Sequence, residues 1–244
     1  MVKVDFIRRQ SFFVVLCVVA AVVAIQPRAG YAQEPNLFNS YDFSGDFTDS
    51  LGNGDDLIPD NVATSSFGGG MWTWTATTQP GGGVIMDTVN TITDHYSISI
   101  RFMYTEVGPS WRKIISFKDQ SDDNGFYFYG GQLQFYPYGD LGATTFPANT
   151  MIELVVTRDN TDNTVSAYVV DNEGNLTLEI QVQDTLLSTI PQEVAGKSRF
   201  RFFQDDMDVT GEWTPGGTVD WIRVWDGPLE AGDIPVELMT LTVE

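Results

Sequence analysis

The chain reads as an all-β protein, a two-sheet antiparallel sandwich preceded by a cleavable signal helix. Three observations predict this. Past Ala32 no segment keeps a helical period of apolar residues. Strand-length runs of alternating apolar and polar residues recur instead, with turn residues between them. Finally, Gly130-Gly131 joins two such runs, and two adjacent glycines take positive φ without a Cβ clash, which specifies a tight hairpin.

At the start, Lys3, Arg8 and Arg9 precede an apolar run over residues 12–25, and Gly30-Tyr31-Ala32 follows. Basic, then apolar, then small residues is the layout of a secretory signal, and the run is short for a spanning helix. Cleavage is expected after Ala32, giving a protein that is secreted or held at the cell surface. Cys17 lacks the small residues before it that a lipid-modified cysteine needs. Removing residues 1–32 takes away Lys3, Arg8, Arg9, Arg28 and Asp5, moving the net charge from −20 to −23. No cysteine is left, so stability must come from core burial, helped by any bound metal.

Residues 37–43 form an opening strand, and a glycine- and acid-rich loop follows over 45–56. Alternation puts Trp72 and Trp74 on one face of the next strand. Gly81-Gly82-Gly83 turns the chain into a short strand at 84–86. In 97–104, Ile98, Ile100, Phe102 and Tyr104 face inward while Ser97, Ser99, Arg101 and Met103 face outward. The strand from Trp111 leads through an acidic loop to the Gly-Gly hairpin. There the turn sets Tyr129 opposite Gln132, Phe128 opposite Leu133, Tyr127 opposite Gln134 and Phe126 opposite Phe135. Phe126, Phe128, Leu133 and Phe135 thus fall on the core face; Tyr127, Tyr129, Gln132, Gln134 and Tyr136 fall on the other.

Further strands follow at 151–158, at 164–170 and 176–182 around the turn Asp171-Asn172-Glu173-Gly174, at 200–203, and at 218–225. Helical turns are expected only around 186–191 or 229–233. Residues 37–234 make one domain. Pro235 then opens a last alternating run to Glu244, either a closing strand or the beginning of a following domain.

Four segments in order resemble one family. They are Tyr41-Asp42-Phe43 with Asp49-Ser50-Leu51-Gly52-Asn53-Gly54, and Trp111-Arg112-Lys113-Ile114-Ile115-x-Phe117 with Asp123-x-Gly125-x-Tyr127. Then come Val156-Thr157-Arg158-Asp159, and Phe202-Phe203-x-Asp205-Asp206 with Gly217-x-Val219-Asp220-x-Ile222-Arg223. Together the chain resembles the concanavalin-A-like jelly rolls, specifically the laminin-G-like domains of secreted bacterial proteins. That resemblance implies two antiparallel sheets in a jelly roll, often with structural calcium, in proteins that bind glycans or other surface ligands. Lectins, enzymes and spacers share this architecture, so it does not decide function.

Composition narrows the chemistry. A chain this acidic, without a basic patch, is a poor partner for nucleic acid or anionic membranes, and nothing after signal cleavage suits membrane insertion. The single histidine, His95, expected at the start of a strand, excludes histidine triads and multi-histidine metal sites. Glycosidases need two carboxylates across a cleft. The jelly-roll glucanases resemble one another through Glu-x-Asp-x-x-Glu on a strand, and neither Glu153-Leu154-Val155-Val156 nor Glu179-Ile180-Gln181-Val182-Gln183-Asp184 matches. A secreted, non-catalytic carbohydrate-binding or adhesion module stabilised by calcium is therefore expected, with a structural spacer of a larger exported protein and a jelly-roll glycoside hydrolase as the alternatives.

Calcium takes hard oxygen ligands from acid-rich loops. Three loops qualify: 49–56, 119–124, and Asp205, Asp206 and Asp208 with Glu212. The third starts like an EF-hand but carries Gly217 where the twelfth-position Glu belongs, so that motif is rejected. At a strand end, one of Asp205 and Asp206 must point inward, and a buried carboxylate needs a partner; Arg112 or Arg158 is expected to supply it. On the outer face of the hairpin, Trp111, Tyr127, Tyr129, Tyr136 and Trp213 are placed to stack on sugar rings. Gln132, Gln134 and Asp123 are placed to bind hydroxyls, and the pairing of Arg112 or Arg158 with the acids either holds the fold or orders the pocket, the structural role being the expected one. The alternative is that loops cover these rings as a second small core.

Overall fold

Alternation decides the layers, and the chain folds into sixteen strands without a helix among the described residues. The computed structural model describes residues 34–89, 92–206, 209 and 213–235. The signal segment and the run after Pro235 lie outside them. The strands are β1 (Leu37–Tyr41), β2 (Ile58–Asp60), β3 (Thr64–Gly68), β4 (Met71–Thr75), β5 (Gly83–Val89), β6 (Tyr96–Tyr104), β7 (Trp111–Ser116) and β8 (Gly125–Tyr129). They continue as β9 (Gln132–Tyr136), β10 (Asp140–Thr145), β11 (Ile152–Asp159), β12 (Thr164–Val170), β13 (Leu176–Gln183), β14 (Gln192–Val194), β15 (Lys197–Phe202) and β16 (Gly216–Trp225).

One sheet runs β13-β12-β11-β6-β16-β4-β3, with β1 also on β16; the other runs β10-β9-β8-β7-β15-β5-β2, with β14 on β15. Every pairing is antiparallel. The two inner faces share one core that includes Ile98, Ile100 and Phe102 from the first sheet and Phe126, Phe128, Leu133 and Phe135 from the second. Phe126 and Phe135 stack at 4.5 Å between ring centres. The hairpin register is the one the glycines specify, Tyr129 with Gln132 through Phe126 with Phe135.

Differences from the sequence reading have local causes. β1 stops at Tyr41 and β15 at Phe202, because Phe43 (φ 51°) and Phe203 (φ 64°) turn the backbone into the left-handed region while their rings stay in the core. β2, β3, β10 and β14 are short strands with weak apolar alternation, three of them at sheet edges. Neither expected helical turn becomes a helix: the chain at 186–191 and 229–233 makes turns only.

The outer face of the first sheet is covered in part. Ser97 and Ser99 do point away from the core, yet both are buried: the segment after β16 folds over Ser97, while Ser99 donates to Glu153 (2.5 Å) and accepts from the Trp221 indole (3.1 Å). The Ser97 hydroxyl donates to the Gly227 carbonyl (2.9 Å) and accepts from the Leu229 N–H (2.7 Å). Beside them Trp225, Leu229 and Ile234 pack on Val155 and Val170 as a small second core.

Candidate ligand-binding site

The outer face of the second sheet is built differently. Trp111 pairs with Tyr129 and Tyr129 with Gln132, making one row; Lys113, Tyr127 and Gln134 make the next; Gly125 and Tyr136 make the third. These side chains share a face because each row contains directly opposed residues. A bulge at Ile114 sends both Ile114 and Ile115 into the core and leaves Lys113 outward beside Tyr127. Gly125 makes room for it: a Cβ there would lie 2.2 Å from the Ile115 carbonyl oxygen and 2.9 Å from Lys113 Cε.

The rings divide between the two arrangements the sequence leaves open. Tyr129 and Tyr136 are 40 % and 41 % exposed, whereas Tyr127 is 1 % exposed. Trp111 meets Tyr127 edge-on at 5.4 Å and Tyr129 at 4.9 Å. Trp111, Tyr127 and Tyr136, together with Asp123 and Val209, line a cavity of about 210 Å³. Gln132 and Gln134 are half-buried on the same strand face, with Gln132 donating weakly to the Gly142 carbonyl. Trp213 packs on the core instead.

Behind the cavity lies a charged cluster. Asp123, Asp205 and Asp206 each present an oxygen within 4.8 Å of the others. Lys113 Nζ stands 3.4 Å from Asp123, 3.4 Å from Asp205 and 3.6 Å from Asp206, and 4.4 Å from the Tyr127 ring centre. Lys113 also donates to the Tyr127 hydroxyl, which donates to Asp123 Oδ1 and, at 3.2 Å, to Asp205 Oδ1. The lysine, Asp205 and Asp206 are buried; only the Asp123 side chain, 31 % exposed, reaches solvent. Phe203's left-handed backbone turns the chain just before the two acids, and the Asp205 N–H then binds the Pro80 carbonyl (2.9 Å).

Burial, opposed by Lys113 and reinforced by the charges of Asp206 and Asp123, pushes the Asp205 carboxyl up to about 7. Burial raises Asp123 as well, against the pull of Tyr127 and Lys113. Burial and the surrounding carboxylates hold the Tyr127 phenol far above its ordinary range, so it stays a donor.

Two expectations are corrected here. The cation beside Asp205 and Asp206 is Lys113, not Arg112 or Arg158. Arg112 points away from the ring face and donates to the Trp213 carbonyl (2.6 Å) and to Ser110 (3.0 Å). Arg158 lies in the other sheet and is fully buried against Asp184 (3.2 Å), Thr189 (3.1 Å) and Asn163 (2.9 Å). Neither arginine joins the cavity. Sequence parity carried the missed signal, since Lys113 is two residues from Trp111 and opposite Tyr127.

The expected calcium loops find other partners. Asp49 accepts from the backbone N–H groups of Ser40, Leu51, Asn53 and Gly54 and from the Asn39 amide. Asp119 pairs with Arg201 (2.5 Å) and Arg199 (3.5 Å). Asp123, Asp205 and Asp206 do not fit a calcium ion as they stand. The ion needs oxygens at about 2.3–2.6 Å on several sides, and the Lys113 ammonium holds the point they face. Asp208 and Glu212 lie outside the described residues.

A second concavity, about 500 Å³, is a polar trough on the outer side of β11, β12 and β13 that includes Thr157, Thr164, Ser166, Gln181 and one ring, Tyr168. The smaller cavity has three rings and an acid converging on one volume, and it is the better-formed recognition site.

No family model matches the sequence, and no curated protein matches it. Solved structures do. Domain 4 of AbnA, a GH43 extracellular arabinanase from Geobacillus stearothermophilus, in complex with arabinotriose, matches at a TM-score of 0.56 and 13 % identity, over 82 % of this chain and 97 % of that one. A botulinum neurotoxin type C structure, whose cell entry depends on two ganglioside molecules, matches at 0.54 and 13 %, over 82 % and 50 %. The binding domain of botulinum neurotoxin DC in complex with rat synaptotagmin II matches at 0.55 and 12 %, again over 82 % and 50 %. The fold is the jelly-roll sandwich. This chain spans about half the length of the neurotoxin chains it matches.

Proposed function

We propose that this chain is a non-catalytic carbohydrate-binding module of an exported protein, and that the cavity between Trp111, Tyr127 and Tyr136 is its site. The observation that carries the reading is the convergence of three rings and one solvent-reaching carboxylate on a volume of about 210 Å³. Sugar rings present apolar faces to aromatic side chains and hydroxyls to acids and amides, and a cavity of this size accommodates one ring. The matches to a domain in complex with arabinotriose and to a neurotoxin whose cell entry depends on two ganglioside molecules are in keeping with it.

Hydrolysis needs two carboxylates facing the substrate. Here Asp205 and Asp206 are buried behind Tyr127, and among the described residues Asp123 is the one acid that lines the cavity. Glu153 is bound to Ser99 (2.5 Å) and Glu179 to the Thr144 N–H (3.0 Å), both away from it. The spacer reading draws on the mutual packing of Trp111, Tyr127 and Tyr129. A glycan array with the full chain decides between them. A bound glycan lost in both Trp111→Ala and Tyr136→Ala is the expected result; no glycan binding, or binding untouched by either change, leaves the spacer. The same assay run with a chelator tests calcium: a fall in binding or melting temperature would assign an ion to an acidic loop outside the Lys113 cluster, and no change would remove calcium from the reading.

A further inference from the structure

The charge around the cavity is as informative as its rings. One ammonium, Lys113, faces three carboxylates, so when all are ionised the cluster is left with negative charge next to the cavity wall. Asp205 Oδ2 is buried without a hydrogen-bond partner. Asp123, the member that reaches solvent, lines the cavity itself, as do the rings of Trp111 and Tyr136. Aromatic faces attract cations through the ring quadrupole, and the attraction strengthens where water is excluded. A carboxylate beside aromatic faces is a combination that binds an ammonium group; a neutral hydroxyl gains much less from it. The protein's net charge of −20 adds a long-range field of the same sign, which draws cations in and repels acidic sugars.

Building on the carbohydrate-binding reading, we infer that the Trp111–Tyr136–Asp123 cavity selects a ligand carrying a protonated amine, an amino sugar with a free ammonium, over its neutral and acidic counterparts. The ammonium lies against Asp123 with the sugar ring between Trp111 and Tyr136. A cation arriving beside the raised Asp205 and Asp123 carboxyls favours their ionised forms, so its binding is coupled to release of protons.

Calorimetric titration of the full chain with three matched oligomer series tests it: β-1,4-linked glucosamine at a pH where its amine is protonated, N-acetylglucosamine, and glucose. The free-amine series is expected to bind at least about tenfold tighter than the other two, on the scale of one partly desolvated cation–π contact. That preference should shrink with added salt. Asp123→Asn should bring the ratio close to one, and Tyr136→Ala, at an exposed position, should weaken the amine series without unfolding the chain. Equal affinity for all three series overturns the ammonium inference and leaves the carbohydrate reading standing. Choline supplies the converse arm: choline binding without any saccharide binding sinks the carbohydrate reading and upholds cation selection. If neither saccharide nor choline binds, both fall.

Discussion

Lys113 carries a full charge into a place where it touches no water, and it is tolerable there only because three carboxylates and the Tyr127 hydroxyl surround it. Removing one partner of such a group leaves the others buried and uncompensated. Lys113→Met should therefore lower stability by about 3–5 kcal/mol, far more than an exposed ion pair is worth. Urea unfolding of the two proteins at neutral pH measures it. A loss below about 1 kcal/mol would mean that the acids are protonated rather than paired. The ring positions here were legible from parity, since Phe126 and Phe128 had to face the core once the turn was placed. The depth of Tyr127 was not. Alternation says which side of a sheet a residue takes, but not whether a loop from elsewhere in the chain closes over it, and Asp205 and Asp206 come from β15's far end.

The strands β7 and β8 supply the frame for that site, and one missing side chain makes them compatible. Gly125 lies where the Lys113 stem and the Ile115 carbonyl both pass. Gly125→Ala should cost about 1–3 kcal/mol, the range of an overpacked interior, and should weaken ligand binding by tilting Lys113 and Tyr127. Thermal melts and titrations of this variant check both parts; a melting temperature equal to the parent's would show that the bulge absorbs the methyl group. At this scale the sequence was readable wherever large apolar residues recur at alternate positions of a strand, as in β6, β8, β9, β11 and β12. It was poorly readable in β2, β3, β10 and β14, where side chains meet solvent or loops on both faces and the apolar period disappears.

Across the whole sandwich, the segment after β13 clamps the two layers together. Asp184 accepts from Ser188 N–H (2.8 Å), Thr189 N–H (2.8 Å) and the Thr189 hydroxyl (2.7 Å), pairs with Arg158 of β11 in the same sheet as β13, and accepts from the hydroxyl of Tyr138 (2.8 Å), which follows β9 in the opposite sheet. Burial works against its ionised form, but the Thr189, Ser188 and Tyr138 donors outweigh burial and hold the carboxyl below the usual aspartate value of 3.8. Because the folded value lies below the unfolded one, this contribution is fully present above the ordinary aspartate range and is lost as pH falls through the folded value. Unfolding free energy measured in steps from pH 6 to pH 2 should drop at the acid end, and Asp184→Asn should flatten that drop while lowering stability at pH 6. An unchanged acid slope in the variant would assign the loss to other carboxylates. Nothing in the local sequence pointed from Asp184 to Arg158, because their pairing depends on how two strands align in space.

The segment folded over Ser97 of β6 has a practical outcome. Residues 226–234 occupy the back of the molecule, while the aromatic cavity opens from the front. A tag or support joined after Pro235 would hold the protein from behind, leaving its pocket free to meet ligands in solution.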